Sequence, residues 1–201
     1  RGYFPQELPP PFNTTSLAKF IASSSGKPLP FTHLKNHPSK PEIYNLARTG
    51  TLRRELSILN PVHFTLLANC LANKWKDLEK AFSGSKLSLT TPTLTDSIRA
   101  IGRNSSLDML PSKRAEFRSR GRFLLKADVI RFYPSIYTHS IPWALHGKKF
   151  AKLNRGKELL GNEIDELMRN CQDGQTNGIP IGPDTSLLLA EILLTQVDQK
   201  L

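Results

Sequence analysis

Phe64, Leu67, Leu71, Trp75, Leu78 and Phe82 recur at intervals of three or four, which predicts a helix with one apolar stripe running to about Phe82. Asn60 stands before it as an N-cap, with Pro61 at the first helical position, where a missing N–H costs nothing. Leu52–Ile58 just upstream reads as a strand, and Ser16–Ala22 as a short helix. Further on, Leu159, Leu160, Ile164, Leu167 and Met168 make Glu158–Asn170 an amphipathic helix whose other face, with Glu163, Asp165 and Glu166, reads as solvated. After the turn Asp173–Gly178, Asp184 or Thr185 is placed to cap a last helix with Leu189, Ala190, Leu193, Leu194, Val197 and Leu201 on its apolar face. Ser135–Leu145 reads as a helix broken at Pro142.

One segment has the other period. Gly121-Arg122 forms a turn, and beyond it Phe123, Leu125, Ala127 and Val129 alternate with Leu124, Lys126, Asp128 and Ile130. In a strand one face is then wholly apolar, and the other carries Lys126 and Asp128. The aromatic pair Phe132 and Tyr133 follows at once. A carboxylate at a strand end can hold a divalent cation in a cleft, and an aromatic five residues on can floor a pocket for a sugar. That is the layout of a nucleotidyl-transfer palm.

Residues 1–41 are rich in Pro and Ser, as in Pro9–Phe12 and Ser23–Pro30, and read as extended wrapping segments. Gly84–Arg122 is loop and short strand, with a helix over Ser112–Ser119 that carries Lys113, Arg114 and Arg118, with Arg120 and Arg122 close by. These cations line a nucleic-acid groove or form a solvated face, and charge alone does not separate the two. Helices and strands are interspersed without a regular βαβ repeat, so the fold class is α+β.

Length and charge narrow the function. The 201 residues, 38% of them hydrophobic, suffice for one large domain or two lobes around a cleft. A formal net charge of +11 points to a polyanionic partner, or to a merely solubilising surface. Cys70 and Cys171 have no CxxC spacing and no His/Cys cluster around them, so they read as thiols of a reducing compartment, not as a zinc site or a disulfide framework. The longest apolar run, Leu187–Leu194, is far too short for a membrane span, and there is no signal peptide and no initial methionine. A fragment of a cytoplasmic protein without a membrane partner is expected.

Four blocks give these features a family likeness. Lys126–Lys148, KADVIRFYPSIYTHSIPWALHGK, resembles the first catalytic motif of reverse transcriptases in the wording of the bacterial abortive-infection and defence-associated groups. Asn177–Leu194, NGIPIGPDTSLLLAEILL, resembles the next polymerase motif, and Leu52–Pro61, LRRELSILNP, the fingers motif. The opening Arg1–Phe12 is similar to the family as well, and the blocks stand in family order over nearly the whole chain.

The resemblance implies a right-hand polymerase fold: an N-terminal extension over 1–50, fingers with a connecting helix over 51–120, palm over 121–142, fingers helices over 143–178 and palm again over 179–201. It implies Mg²⁺-dependent polymerisation of dNTPs, directed by RNA, in anti-phage defence in the bacterial cytoplasm. Untemplated and protein-primed synthesis both remain open, with Tyr3, Tyr44 and Tyr137 unranked as primers. The implied partners are a structured non-coding RNA, the DNA product and further copies of the chain. The family's Tyr-x-Asp-Asp turn, with two more metal-binding acids, does not occur before Leu201, and Asp198 is a poor substitute. Those acids and the rest of the palm are expected beyond Leu201, and the fragment alone is expected to be inactive. The alternatives are a templated retron or group II intron type of enzyme, and a non-catalytic polymerase-like RNA-binding scaffold.

Residue roles follow from the same likeness. Asp128 is the catalytic carboxylate and a metal ligand, supplying a hard oxygen of the kind Mg²⁺ takes, with the Val129 backbone carbonyl as another; standing alone, Asp128 would read as a turn acid. Tyr133 occupies the steric-gate position, where its ring would clash with a 2′-hydroxyl. Phe132 is counted with Arg54, Tyr133 and Gly182 as nucleotide-binding, although as the strand neighbour of Tyr133 it should face the other way, where a core aromatic is the more natural reading. Arg54 matches the triphosphate-binding arginine, whose guanidinium can fork onto two phosphate oxygens, and Arg53 should face away. Gly182 lets the backbone approach a nucleotide. Ile181 departs from the glutamine common in the family and cannot hydrogen-bond a sugar. His139 and His146 read as capping or packing residues, and Thr185 and Ser186 as caps.

Overall fold

The computed structural model describes residues 13–24, 29–97, 99–119 and 121–200. The N-terminal block Arg1–Phe12 and Arg120 of the basic cluster lie outside them. Helix α1 is Thr15–Ser23, and a turn of 3-10 helix covers Thr32–Asn36. Strands β1 (Glu42–Ala47) and β2 (Arg53–Ile58) form an antiparallel hairpin with Leu46 opposite Arg54 and Tyr44 opposite Leu56. Gly50, at φ 73°, makes the turn between them.

The expected stripe to Phe82 is two helices, α2 (Pro61–Asn73) and α3 (Trp75–Phe82), separated at Lys74. Asn60 caps α2, its side-chain oxygen accepting from the Val62 N–H at 3.0 Å. A second hairpin, β3 (Pro92–Leu94) and β4 (Ile101–Arg103), precedes α4 (Leu110–Arg118). Then come α5 (Phe132–Ser135), α6 (Ser140–His146), α7 (Lys148–Leu153), α8 (Leu160–Asn170) and α9 (Asp184–Asp198). The described residues are thus mixed helix and strand with two small sheets. Among the described residues no helix is long and apolar enough to cross a membrane.

The core is helical. Leu67, Leu71 and Leu78 meet Ile141, Ile164, Met168, Leu188, Leu189 and Ile192, all buried. Pro142 does not break its helix: it sits in the first turn of α6, where no intrahelical N–H bond is lost. Helices α6 and α8 touch backbone to backbone, since a Cβ on Gly161 would lie 2.5 Å from the Pro142 Cα. There the Gly161 N–H donates to His146 Nε2 at 3.0 Å, and burial pushes the His146 pKa down.

Three sequence expectations are corrected by this packing. The alternating segment 123–130 is not a strand: it lies unpaired, with Phe123, Leu125 and Ile130 at least 86% exposed. A strand needs a neighbour for its backbone groups and a surface for its apolar face, and no other described segment supplies either. Helix α9 buries Thr185, Leu188, Leu189, Ile192 and Thr195, whereas Leu194 and Val197 are exposed. Pro183, not Asp184 or Thr185, holds its N-cap position, and no side chain caps it. The face of α8 that reads as solvated is largely covered, with Asp165 buried and both Glu163 and Glu166 in ion pairs.

Candidate functional site

The loop before α9 ties together three elements that are distant in sequence. Its Ile181 carbonyl accepts from the Ser57 N–H of β2 at 2.8 Å. Its Ile179 N–H donates to the Tyr133 carbonyl at 3.0 Å, and its Gly178 N–H to the Ile136 carbonyl at 2.7 Å. Gly178 at φ 84° and Gly182 at φ 121° supply backbone conformations that side-chain-bearing residues rarely adopt. The loop therefore lies between the strand of Arg54 and the turn of Tyr133, with Gly182 on it.

Tyr133 itself occupies a short helical turn. Phe132 and Tyr133 do not face opposite ways as strand neighbours would; their rings meet edge to face at 5.3 Å and both are half-buried. Arg131 enters the turn in the left-handed region at φ 53°, an unusual backbone for a side chain of its size. Burial raises the Tyr133 pKa, the Arg103 and Arg54 guanidinium charges lower it, and the Glu191 carboxylate raises it. The phenol thus shares one electrostatic neighbourhood with Arg54 on β2, Arg103 on β4 and Glu191 on α9. The sequence carries no sign of Arg103 and Glu191 as members of this group, because hairpin and helix meet there only in the folded chain.

On the wall behind, Arg99 pairs with Asp184 at 3.6 Å. Burial raises the Asp184 pKa; Arg99 and the backbone N–H groups of Ile101 and Ala100 lower it. Burial also raises that of Glu191, against a hydrogen bond from Ser88. Thr185 and Ser186, read as caps, are buried, and neither hydroxyl has a hydrogen-bond partner among the described residues.

Asp128 stands apart from this loop in a cleft of about 620 Å³, lined by Phe123, Lys126 and Asp128 itself, with Arg114, Phe117 and Arg118 of α4 opposite. Its carboxylate accepts from the Val129 N–H at 3.0 Å. An exposed carboxylate suits a hard cation as one ligand, but among the described residues no three His, Cys, Asp or Glu side chains come together as a metal site. Two of the cations expected to bind nucleic acid, Arg114 and Arg118, share the Asp128 cleft; Lys113 is drawn toward Glu116 at 3.6 Å.

Neither thiol lines the Asp128 cleft. Cys70 and Cys171 are free, and burial pushes each pKa up to about 12, with Glu163 adding to the rise at Cys70. His139 neither caps α6 by its side chain nor merely packs: its Nδ1 lies 2.7 Å from Asp165 Oδ2.

No protein-family model matches the chain, and neither does any curated protein.

Proposed function

We propose that the chain is the fingers and the first part of the palm of a bacterial reverse transcriptase of the abortive-infection or defence type, an RNA-directed DNA polymerase. The observation that supports this most is the loop 178–182, hydrogen-bonded to both β2 and the Tyr133 turn, which gathers Arg54, Tyr133 and Gly182. Sequence motifs far apart in the chain converge there on one neighbourhood. Arg54 would grip the triphosphate, Tyr133 would lie against the sugar, and the Gly182 backbone would pass close to the nucleotide. Asp128 and the Val129 carbonyl would hold a magnesium ion, completed by acids outside this chain; when bound, that ion offsets charge on the phosphates. RNA, the DNA product and further copies of the chain would be its partners in the bacterial cytoplasm. The non-catalytic RNA-binding scaffold is favoured by a different observation: among the described residues, Asp128 shares its cleft with cations and no second acid.

Arg54 tests the grip. In β2 it lies opposite Leu46, with Arg53 opposite Ala47, so the two side chains leave on opposite faces. In the intact protein, Arg54→Ala is expected to raise the KM for dNTP roughly ten-fold or more, the loss of a charge-assisted contact, while Arg53→Ala leaves it within about two-fold. Equal effects of both substitutions would remove Arg54 from the nucleotide.

The basic surface of α4 has a test of its own. Each phosphate neutralised releases counterion, so RNA affinity should fall steeply with salt. Arg114→Ala with Arg118→Ala should flatten that slope by about two, one for each lost phosphate contact. An unchanged slope and affinity would make α4 a solvated helix whose Arg118 merely complements the negative end of its dipole.

A further inference from the structure

A cleft of about 470 Å³ opens between α6, α7 and α8, and none of these helices carries Arg54, Asp128, Tyr133 or Gly182. One wall is aromatic. Tyr137 and Trp143 lie 5.8 Å apart with tilted rings, and Tyr137 meets His139 edge to face at 4.9 Å. Above Trp143 sit two ammonium groups, Lys148 Nζ at 4.7 Å and Lys152 Nζ at 6.0 Å from the ring centre. Arg155, on the loop after α7, lines the same cleft. This side of the cleft is therefore cationic and stacking at once.

The opposite wall is α8, and it holds polar atoms in want of partners. Asp165 is 5% exposed; its Oδ2 faces His139 Nδ1 at 2.7 Å and Arg169 Nε at 3.5 Å. Its Oδ1, together with Glu166 Oε2 and Arg169 Nε, has no hydrogen-bond partner among the described residues. Glu166 is held by Lys157 at 2.7 Å through its other oxygen. A buried carboxylate oxygen left without a donor is costly, so each of these atoms marks a bond still to be made.

We propose that this cleft is a nucleotide subsite separate from the Tyr133 neighbourhood. Its base stacks on Tyr137 and Trp143, and its phosphates are taken by Lys148, Lys152 and Arg155. Stacking on aromatics beside a cationic track is how single-stranded nucleic acid is held. The α8 wall then sets which base fits. The two buried carboxylate oxygens without a partner can only accept, and the guanidinium can only donate. Guanine offers N1–H and N2–H to the first and O6 to the second. Adenine, cytosine and uracil each present a donor and acceptor pattern that leaves a carboxylate facing an acceptor. The ligand is thus a guanine nucleotide, free or within a single strand.

The experiment uses the intact protein and does not depend on polymerisation, so it can fail while the polymerase assignment stands. Binding of a labelled heptauridylate is compared with that of the same oligomer carrying one central guanosine, with guanosine monophosphate as competitor. The guanosine oligomer is expected to bind about ten-fold or more tightly, the worth of one read and stacked base, and to crosslink under ultraviolet light to the peptide holding Tyr137 and Trp143. Lys148→Ala with Lys152→Ala, at exposed positions on the rim, should weaken binding of both oligomers alike without unfolding the protein, Glu166→Gln should narrow the guanosine preference, and Trp143→Leu should abolish the crosslink. Competition by the monophosphate at equal concentration assigns the site to a free nucleotide, and competition only at large excess assigns it to a strand. Equal binding of the two oligomers by the wild-type protein, or a guanosine preference left unchanged in Glu166→Gln, overturns the proposal.

Discussion

Asp128→Asn in the intact protein is expected to lower dNTP incorporation by several orders of magnitude, on the scale that electrostatic and metal contributions have in phosphoryl transfer. Asparagine keeps the size and the acceptor for the Val129 N–H, so the local turn survives. What it loses is the negative charge, and a neutral amide oxygen is a poor ligand for a hard dication. The same change should leave RNA affinity the same or slightly raised, because Arg114, Arg118 and Lys126 line the Asp128 cleft and would lose a competing anion. Incorporation and RNA binding measured on one preparation separate the two proposals for the chain. Wild-type incorporation by the variant would leave Asp128 as a turn acid, and absence of incorporation by the wild-type protein itself would favour the scaffold.

How far the sequence reveals the fold depends on whether an element is held by its own pattern or by distant partners. The α2 cap was legible because Asn60 and Pro61 act within one turn of each other. Helices α1, α4 and α8 and strand β2 lie within a residue or two of their expected ends, whereas the single stripe expected to Phe82 divides at Lys74 into α2 and α3. The segment 123–130 has the alternation of a strand and no described neighbour to pair with, so pattern alone was a necessary condition and not a sufficient one. The acids of α8 misled for the opposite reason. In one dimension Glu163, Asp165 and Glu166 make a polar face, and only the folded chain brings Lys35, His139 and Lys157 against them.

The site was legible to a similar degree. Arg54, Tyr133 and Gly182 lie in three separate blocks, and what joins them is backbone hydrogen bonding through Ile179 and Ile181, which no side-chain pattern encodes. Asp128 is different: it is grouped with α4, through the exposed run that precedes it, and nothing in the described residues brings a second acid to it.

Tyr133→Ala is expected to narrow the preference for dNTP over rNTP. If the ring lies against the sugar, its removal opens room for a 2′-hydroxyl, the group that distinguishes the two substrates. A steric exclusion differs from a lost hydrogen bond in one respect: truncation should raise rNTP use in absolute terms while it impairs dNTP use. Phe132 cannot serve as the opposite-face control that a strand would provide, because its ring packs edge to face on Tyr133 at 5.3 Å. Phe132→Ala would remove a contact worth about 0.5–1.5 kcal/mol and loosen the gate indirectly. Phe132→Leu keeps apolar bulk beside Tyr133 and is the cleaner comparison. Steady-state incorporation of one dNTP and its matching rNTP should then show discrimination falling at least ten-fold in Tyr133→Ala and within about three-fold of wild type in Phe132→Leu, since excluding one hydroxyl by contact is worth more than about 1.4 kcal/mol. Discrimination that survives Tyr133→Ala and collapses in Phe132→Leu would move the gate to Phe132, whose ring shares the same turn.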